Sequence, residues 1–410
     1  MTVTVAEGRA LRSSSLPWFL LPLGIFLLTR VVDAGLLLSL VHHQLPASQI
    51  GQGGVVPTLR DPASYLNLIQ NWDGQWFRLI AEHGYPTSLP REDGEVLQNQ
   101  WAFYPLFPLL VRALMTVTTL SYGVVAGTLN IVLSATGMCL VFRMISRRAD
   151  TFAGVMTVLV LGTFPSSVVF QAAYSEALTF LLLVTSLYFL EQRAYGRVLL
   201  TGVLLSLTRP IVLPLALAVV IHGAVRRHSR AEEPFPPREQ AKVLGLAASL
   251  VASFALWPVI AWLSTGESRA FLSSMDAWKS SSQRTSGWQS WLSQSFGGDW
   301  VALALVIVAV GAQLFFLFRP AARLWSPELR GWSLSYAAYL LVSTRPQSSF
   351  IRHLVMAIIP WWPFPEAGQR VVTRKQQVAL ASLVAVGGFV AQYFWLRWFF
   401  VIGADSVSFP

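Results

Sequence analysis

The sequence predicts an all-α polytopic membrane protein of about 11 transmembrane helices. Two observations carry that expectation. Charged residues make up 12% of the 410 residues, against about 25% in an ordinary soluble domain. Hydrophobic residues make up 54%, and they gather in long runs. Runs of roughly 20 residues cross about 30 Å of hydrocarbon as helices. So little charge cannot give so long a chain a solvated surface. Ordinary soluble enzymes, disordered proteins and disulfide scaffolds are excluded.

The runs follow in order. Residues 1–16 are polar and read as a cytoplasmic N-terminus. The run 17–41 holds Arg30 and Asp33 and lacks a small-residue cleavage site, so it reads as a first span and not a signal peptide. Residues 43–100 form a polar loop, far above the usual 4–6 residues or so, and such loops are usually functional or disordered. With Tyr65, Trp72, Trp76 and Tyr85, this one is expected to fold on the membrane surface. The segment 101–120 is apolar but carries Pro105, Pro108 and Arg112, which predicts a kinked interfacial helix. It closes an outer loop of 43–120.

The run 122–145 ends inside at Arg147-Arg148, as the positive-inside rule requires. Spans at 152–170 and 176–190 lead back to Arg193 and Arg197. Residues 198–225 are split at Thr208-Arg209-Pro210. Both flanks are basic, so the split faces outside. Residues 226–241 form a cytoplasmic linker between a half at 17–225 and a half at 242–410. The run 243–264 leads to a second outer loop, 265–299, with Trp278, Trp288 and Trp291. Runs at 300–318, 331–343, 350–364 and 377–400 complete the chain.

The 30 basic and 20 acidic residues give a net charge of +10. The cations sit at span ends, which predicts topology rather than a nucleic-acid partner. The single cysteine, Cys139, excludes an internal disulfide and a Cys-based metal site. The histidines lack metal-ligand spacing, and the adjacent His42 and His43 are expected to point apart on a helix.

The outer side collects the unusual residues. In the stretch 71–85, Trp72, Trp76, Leu79, Ile80 and His83 share one side at helical spacing. That pattern fits tryptophans anchored at headgroup depth. Asp73 fits two uses, a helix N-cap or a general base. Arg209, Arg345, Arg352 and His353 are all expected near the outer face. Each arginine either snorkels to the interface or holds an anion. Arg30 and Asp33, three apart, are expected to pair. Glu82 and His83 lie about 15 Å along a helix from Asp73, too far to share a reacting atom with it. Glu176 begins a span, where an acid also suits the helix dipole.

Trp72-Asp73-Gly74-Gln75-Trp76-Phe77, then Ile80-Ala81-Glu82-His83-Gly84-Tyr85, then Ala102-Phe103-Tyr104-Pro105-Leu106-Phe107-Pro108 resembles the PIG-V family. That family comprises the second mannosyltransferase of GPI-anchor assembly and its bacterial relatives, which are GT-C-type glycosyltransferases. The resemblance is strongest over 71–112. It continues weakly through Ser175-Glu176, Thr208-Arg209-Pro210 and Arg352-His353. It implies a GT-C-like fold and a polyprenyl-phosphate sugar, with mannose as the sugar, as donor. It implies Asp73 as general base and inversion at the anomeric carbon. A carboxylate shielded among Trp72, Trp76 and Phe77 suits that task.

On this footing Arg209, Arg345, Arg352 and His353 would hold the donor phosphate. Trp72, Trp76, Glu82, His83, Tyr104 and Glu176 would line the site or meet the acceptor. No cofactor is implied, and Gln75 stands where a DxD metal motif would place a second acid. The implied partners are membrane lipids, the sugar donor and a lipid or glycan acceptor. The implied location is the plasma membrane, with the site extracytoplasmic. Two other readings stay open: a non-catalytic membrane subunit of a glycosyltransferase complex, and a lipid transporter or flippase. The latter predicts many mid-membrane ionisable residues, which are few, and internal repeats, which are absent.

Overall fold

A computed structural model describes residues 17–46, 63–278, 298–343, 349–358, 362, 364–366 and 373–403. Residues 1–16, Arg345, and Trp288 and Trp291 of the second loop lie outside the described residues. Among the described residues, four helices are long and apolar enough to cross a membrane: Leu20–His43, Tyr122–Ser146, Pro237–Thr265 and Arg374–Phe400. Leu28, Val31, Leu244, Val251, Leu383 and Val386 on these helices are exposed. Apolar faces of this kind need lipid, and the chain is an integral membrane protein. Several other runs fold as shorter or broken helices rather than regular spans.

Helix α1 (Leu20–Leu40) buries Phe26, Thr29, Arg30, Asp33, Leu37 and Leu40, spaced by three or four residues along one face. Arg30 therefore faces the bundle and pairs with Asp33 at 2.5 Å, as the spacing predicts. His42 and His43 sit on a following 3-10 turn with their rings 4.0 Å apart. They do not point apart, because the α-helix has already ended.

The first loop holds a short helix α2 (Tyr65–Leu68), α3 (Asp73–His83) and a two-residue hairpin, β1 (Arg91–Glu92) with β2 (Glu95–Val96). The hairpin is a small departure from an all-α chain. Helix α4 (Leu106–Thr118) has Pro105 as its N-cap and Pro108 in its first turn. The prolines therefore start this helix instead of kinking it, since the first turn needs no N–H from them. The buried face of α3 is Trp76, Phe77, Ile80 and Ala81, rotated from the expected stripe. Phe77 packs edge-on against Phe103 and Phe107. Burying each such ring contributes about 1.5–3 kcal/mol.

The bundle continues as α5 (Tyr122–Ser146), α6 (Thr151–Gly162), α7 (Glu176–Glu191), α8 (Tyr195–Ser206) and α9 (Val212–His228). Helix α6 is shorter than its apolar run and gives way to a 3-10 turn at Ser167–Phe170. The split expected around Arg209 is real: α8 stops at Ser206 and α9 starts at Val212. Gly137 lets α5 approach α7, because a Cβ there would lie 2.7 Å from the Phe180 ring.

After α9 come α10 (Pro237–Ser253), α11 (Leu256–Thr265) and α12 (Ala270–Asp276). Then follow α13 (Asp299–Phe318), α14 (Pro327–Ser343), α15 (Ser349–Leu354) and α16 (Arg374–Trp395). The run 350–364 is not one span: α15 gives way to a 3-10 turn, Val355–Ala357, and Ile358 takes a positive φ of 63°.

One core runs through the bundle from α1 to the turn after α16. A second, smaller core joins the two outer loops through Leu89, Trp101, Tyr104, Trp257, Ala270 and Phe271. Alternating helix directions bring the start of α7, the α8–α9 break, the end of α10 and the end of α14 to one end of the bundle. At the other end Arg148 pairs with Glu191, and Arg193 and Arg226 share Glu233.

Candidate active site

Asp73 owes its position to a tight turn. Trp72 before it has φ 57° and ψ −117°, a conformation that strains a bulky residue by about 1–3 kcal/mol. Buried neighbours hold it there. Trp72 Nε1 donates to the Phe400 carbonyl at 2.8 Å, and Asn71 Nδ2 donates to the same oxygen at 3.1 Å. Tyr174 Oη donates to the Asn71 carbonyl at 2.9 Å. Trp72, not Asp73, is the N-cap of α3, and no side chain caps it. The capping use of Asp73 is thus not realised; its carboxylate lines a cavity.

Glu176 is the first residue of α7 and is 1% exposed. Asn130 Nδ2 donates to the Ala172 and Tyr174 carbonyls and so fixes the turn that precedes it. Arg209 comes from the α8–α9 break and reaches Glu176 Oε1 with Nη2 at 2.5 Å. Its Nε donates to Ser175 Oγ at 3.3 Å, and its Nη1 is 3.4 Å from His353 Nδ1. Arg352 comes from α15. Its Nη2 is 2.8 Å from Asp73 Oδ2, and its Nε is 3.1 Å from Glu176 Oε1. Its guanidinium also lies over the Tyr174 ring at 5.2 Å. Two carboxylates and two guanidiniums interlock, and their formal charges cancel.

Buried charges persist only when paired in this way. Both arginines were open to snorkelling on sequence grounds. Instead, the bundle turns them inward onto acids.

The cavity above this cluster holds about 540 Å³. Asp73, Arg209, Arg352 and His353 form its polar floor, and Phe77, Phe103, Phe271 and Trp278 line the loop side. Trp278 stands edge-on to Phe103 at 5.5 Å. Tyr104 also lines the cavity, and burial pushes its phenol above the usual tyrosine range. It stays protonated and can donate a hydrogen bond. On the far side stand Tyr336, Tyr339 and Ser343 of α14. Among the described residues, no group of three or more His, Cys, Asp or Glu could hold a metal ion.

The fold thus brings together Asp73, Tyr104, Glu176, Arg209, Arg352 and His353. It leaves out four of the expected residues. Trp76 is 7% exposed and stacks on Phe103 at 5.8 Å, so it is packed into protein rather than set at headgroup depth. Trp72 is used in the turn. Glu82 pairs with Arg78 at 2.8 Å on the flank of α3, and His83 is 68% exposed. An unbroken α3 keeps both away from the cavity. Asp73 is also not shielded as expected: its side chain is 23% exposed and paired. Tyr336 and Tyr339 went unnoticed in the sequence. Two tyrosines three apart on an apolar helix are the signal that could have found them.

No protein-family model matches the chain. No curated protein matches it. Among solved structures, it is similar to the crystal structure of the Archaeoglobus fulgidus oligosaccharyltransferase in complex with zinc and sulfate. The TM-score is 0.43 and the identity 14%. The match covers 94% of this chain and 53% of that one, so this chain spans about half its length.

Proposed function

We propose that this chain is a GT-C-type membrane glycosyltransferase that moves a sugar from a polyprenyl-phosphate donor to an extracytoplasmic acceptor. The observation that carries the reading is the cavity floor, where the part-exposed Asp73 carboxylate meets Arg352 and the buried Glu176 ties Arg352 to Arg209, two guanidiniums drawn from separate segments. Such a floor supplies what displacement at a sugar phosphate needs: a proton acceptor on one side and positive charge for the leaving phosphate on the other. Aromatic walls suit the apolar faces of a sugar ring. The motif resemblance supplies the donor class and mannose as the sugar.

In the proposed reaction the acceptor hydroxyl oxygen bonds to the anomeric carbon as the bond from that carbon to the phosphate oxygen breaks. Asp73 takes the hydroxyl proton. The polyprenyl phosphate leaves with the bonding electron pair, and Arg209 and Arg352 face its charge. Attack opposite the phosphate inverts the configuration. The arginines at the opposite end of the bundle support an extracytoplasmic cavity, by the positive-inside rule, in a plasma-membrane protein.

The test is transfer in proteoliposomes. Polyprenyl-phosphate mannose and related polyprenyl-phosphate sugars, radiolabelled in the sugar, are offered with a membrane lipid extract as acceptor. Labelled glycolipid is expected from the mannose donor. No product from any donor, with folded protein, overturns the reading.

A further inference from the structure

We infer that Arg352 is an exchangeable counter-ion: it holds Asp73 until the donor's phosphate takes its place, so that donor binding switches on the base. This rests on the function proposed above and adds an order of events to it.

The two acids differ in how firmly they are held. Glu176 is 1% exposed and touches both guanidiniums, Arg209 at 2.5 Å and Arg352 at 3.1 Å. Asp73 is 23% exposed, lies at the cavity surface and has Arg352 at 2.8 Å. Arg352 Nη2 occupies Asp73 Oδ2, the oxygen that an acceptor hydroxyl would have to reach. Asp73 therefore works as a base only once Arg352 turns away.

Arg352 has donors in reserve. It lines the cavity, and neither its Nη1 nor its Nε has a hydrogen-bond partner among the described residues. A guanidinium carries five N–H donors and pairs readily with phosphate oxygens. A phosphate in the cavity would pair with the guanidinium and draw Nη2 from Asp73. Glu176 Oε1, in ion-pair contact with Nε at 3.1 Å, still balances the charge of the guanidinium as it shifts. The Asp73 carboxylate then swings free toward an acceptor hydroxyl. Glu176 is a positioning residue in this scheme, since it acts through the two arginines.

Infrared difference spectroscopy on the full chain in nanodiscs tests this. The probe is a polyprenyl monophosphate, with the neutral polyprenol as control and binding followed by tryptophan fluorescence. The expected result is a carboxylate-stretch difference band with the phosphate, absent with the polyprenol and lost in Asp73→Asn. In parallel, Glu176→Gln leaves Asp73 as the only acid facing Arg352. It is expected to lower kcat by about a hundredfold while donor KM moves less than about threefold, with partial recovery in Glu176→Asp. Phosphate binding without an Asp73-dependent band overturns the exchange but leaves the proposed function standing. No binding of the lipid phosphate overturns both.

Discussion

Asp73→Asn is the most informative substitution, because it changes charge and basicity at nearly constant shape. The structure separates its two consequences. For stability, Arg352 loses one carboxylate but keeps Glu176 at 3.1 Å. The Asp73 side chain is also partly exposed, so the loss is well below that of a fully buried pair, at about 1 kcal/mol. The fold should survive. For catalysis, a positioned general base contributes about 10²–10⁴ in rate, or roughly 3–5 kcal/mol of barrier. Transfer should therefore fall by at least about a hundredfold, with donor binding retained because both arginines remain. The assay is initial-rate transfer of labelled sugar from the polyprenyl-phosphate donor by purified variant in proteoliposomes, beside a thermal unfolding curve. Turnover within a few-fold of the parent chain, with an unchanged unfolding curve, would refute Asp73 as the base.

Three further outcomes are expected. Arg209→Ala should raise donor KM and lower kcat, together worth about 2–4 kcal/mol in kcat/KM, read from donor saturation curves; unchanged values would reduce Arg209 to a structural partner of Glu176. Asp33→Asn leaves Arg30 buried in α1 with neutral acceptors in place of its carboxylate, namely the Thr29 and Ser167 hydroxyls and the Gly162 and Ser167 carbonyl groups, and should destabilise the bundle by about 3–5 kcal/mol, seen as an earlier unfolding transition in detergent. Gly388→Ala should destabilise by about 1–3 kcal/mol, because the added Cβ would meet Thr163 Cβ at 2.6 Å and its carbonyl oxygen at 2.7 Å; an unmoved transition would show that α16 and α6 part without penalty.

The helical, membrane-embedded class was legible because hydrophobic run length is a local property. The Arg30–Asp33 pair was legible for the same reason, since three residues along one helix fix the geometry. The break at Thr208-Arg209-Pro210 could be read from a proline and a charge in one apolar run. Asp73 stood out because an acid followed by glycine among tryptophans is poorly explained by anchoring. Other readings failed where a side chain's surroundings come from remote segments. The tryptophans of α3 suggested headgroup anchors. Trp76 instead packs against Phe103 and Trp278, and the second of these comes from the other loop. Glu176 looked like an ordinary acid at a helix start until α15 and the α8–α9 break placed two guanidiniums on it.

By itself, then, the sequence determined where the chain is apolar, where those runs break and which few charges topology leaves unexplained. These follow from composition and spacing along one strand of chain. Only the tertiary structure decided which of those charges meet. Asp73, Glu176, Arg209 and Arg352 lie in four separate segments, and no local pattern encodes their distances. Packing of α3, α7, the α8–α9 break and α15 at one end of the bundle turns four isolated, costly charges into one paired cluster on a cavity floor. In a chain with so little charge, burying those side chains is tolerable only because they arrive together.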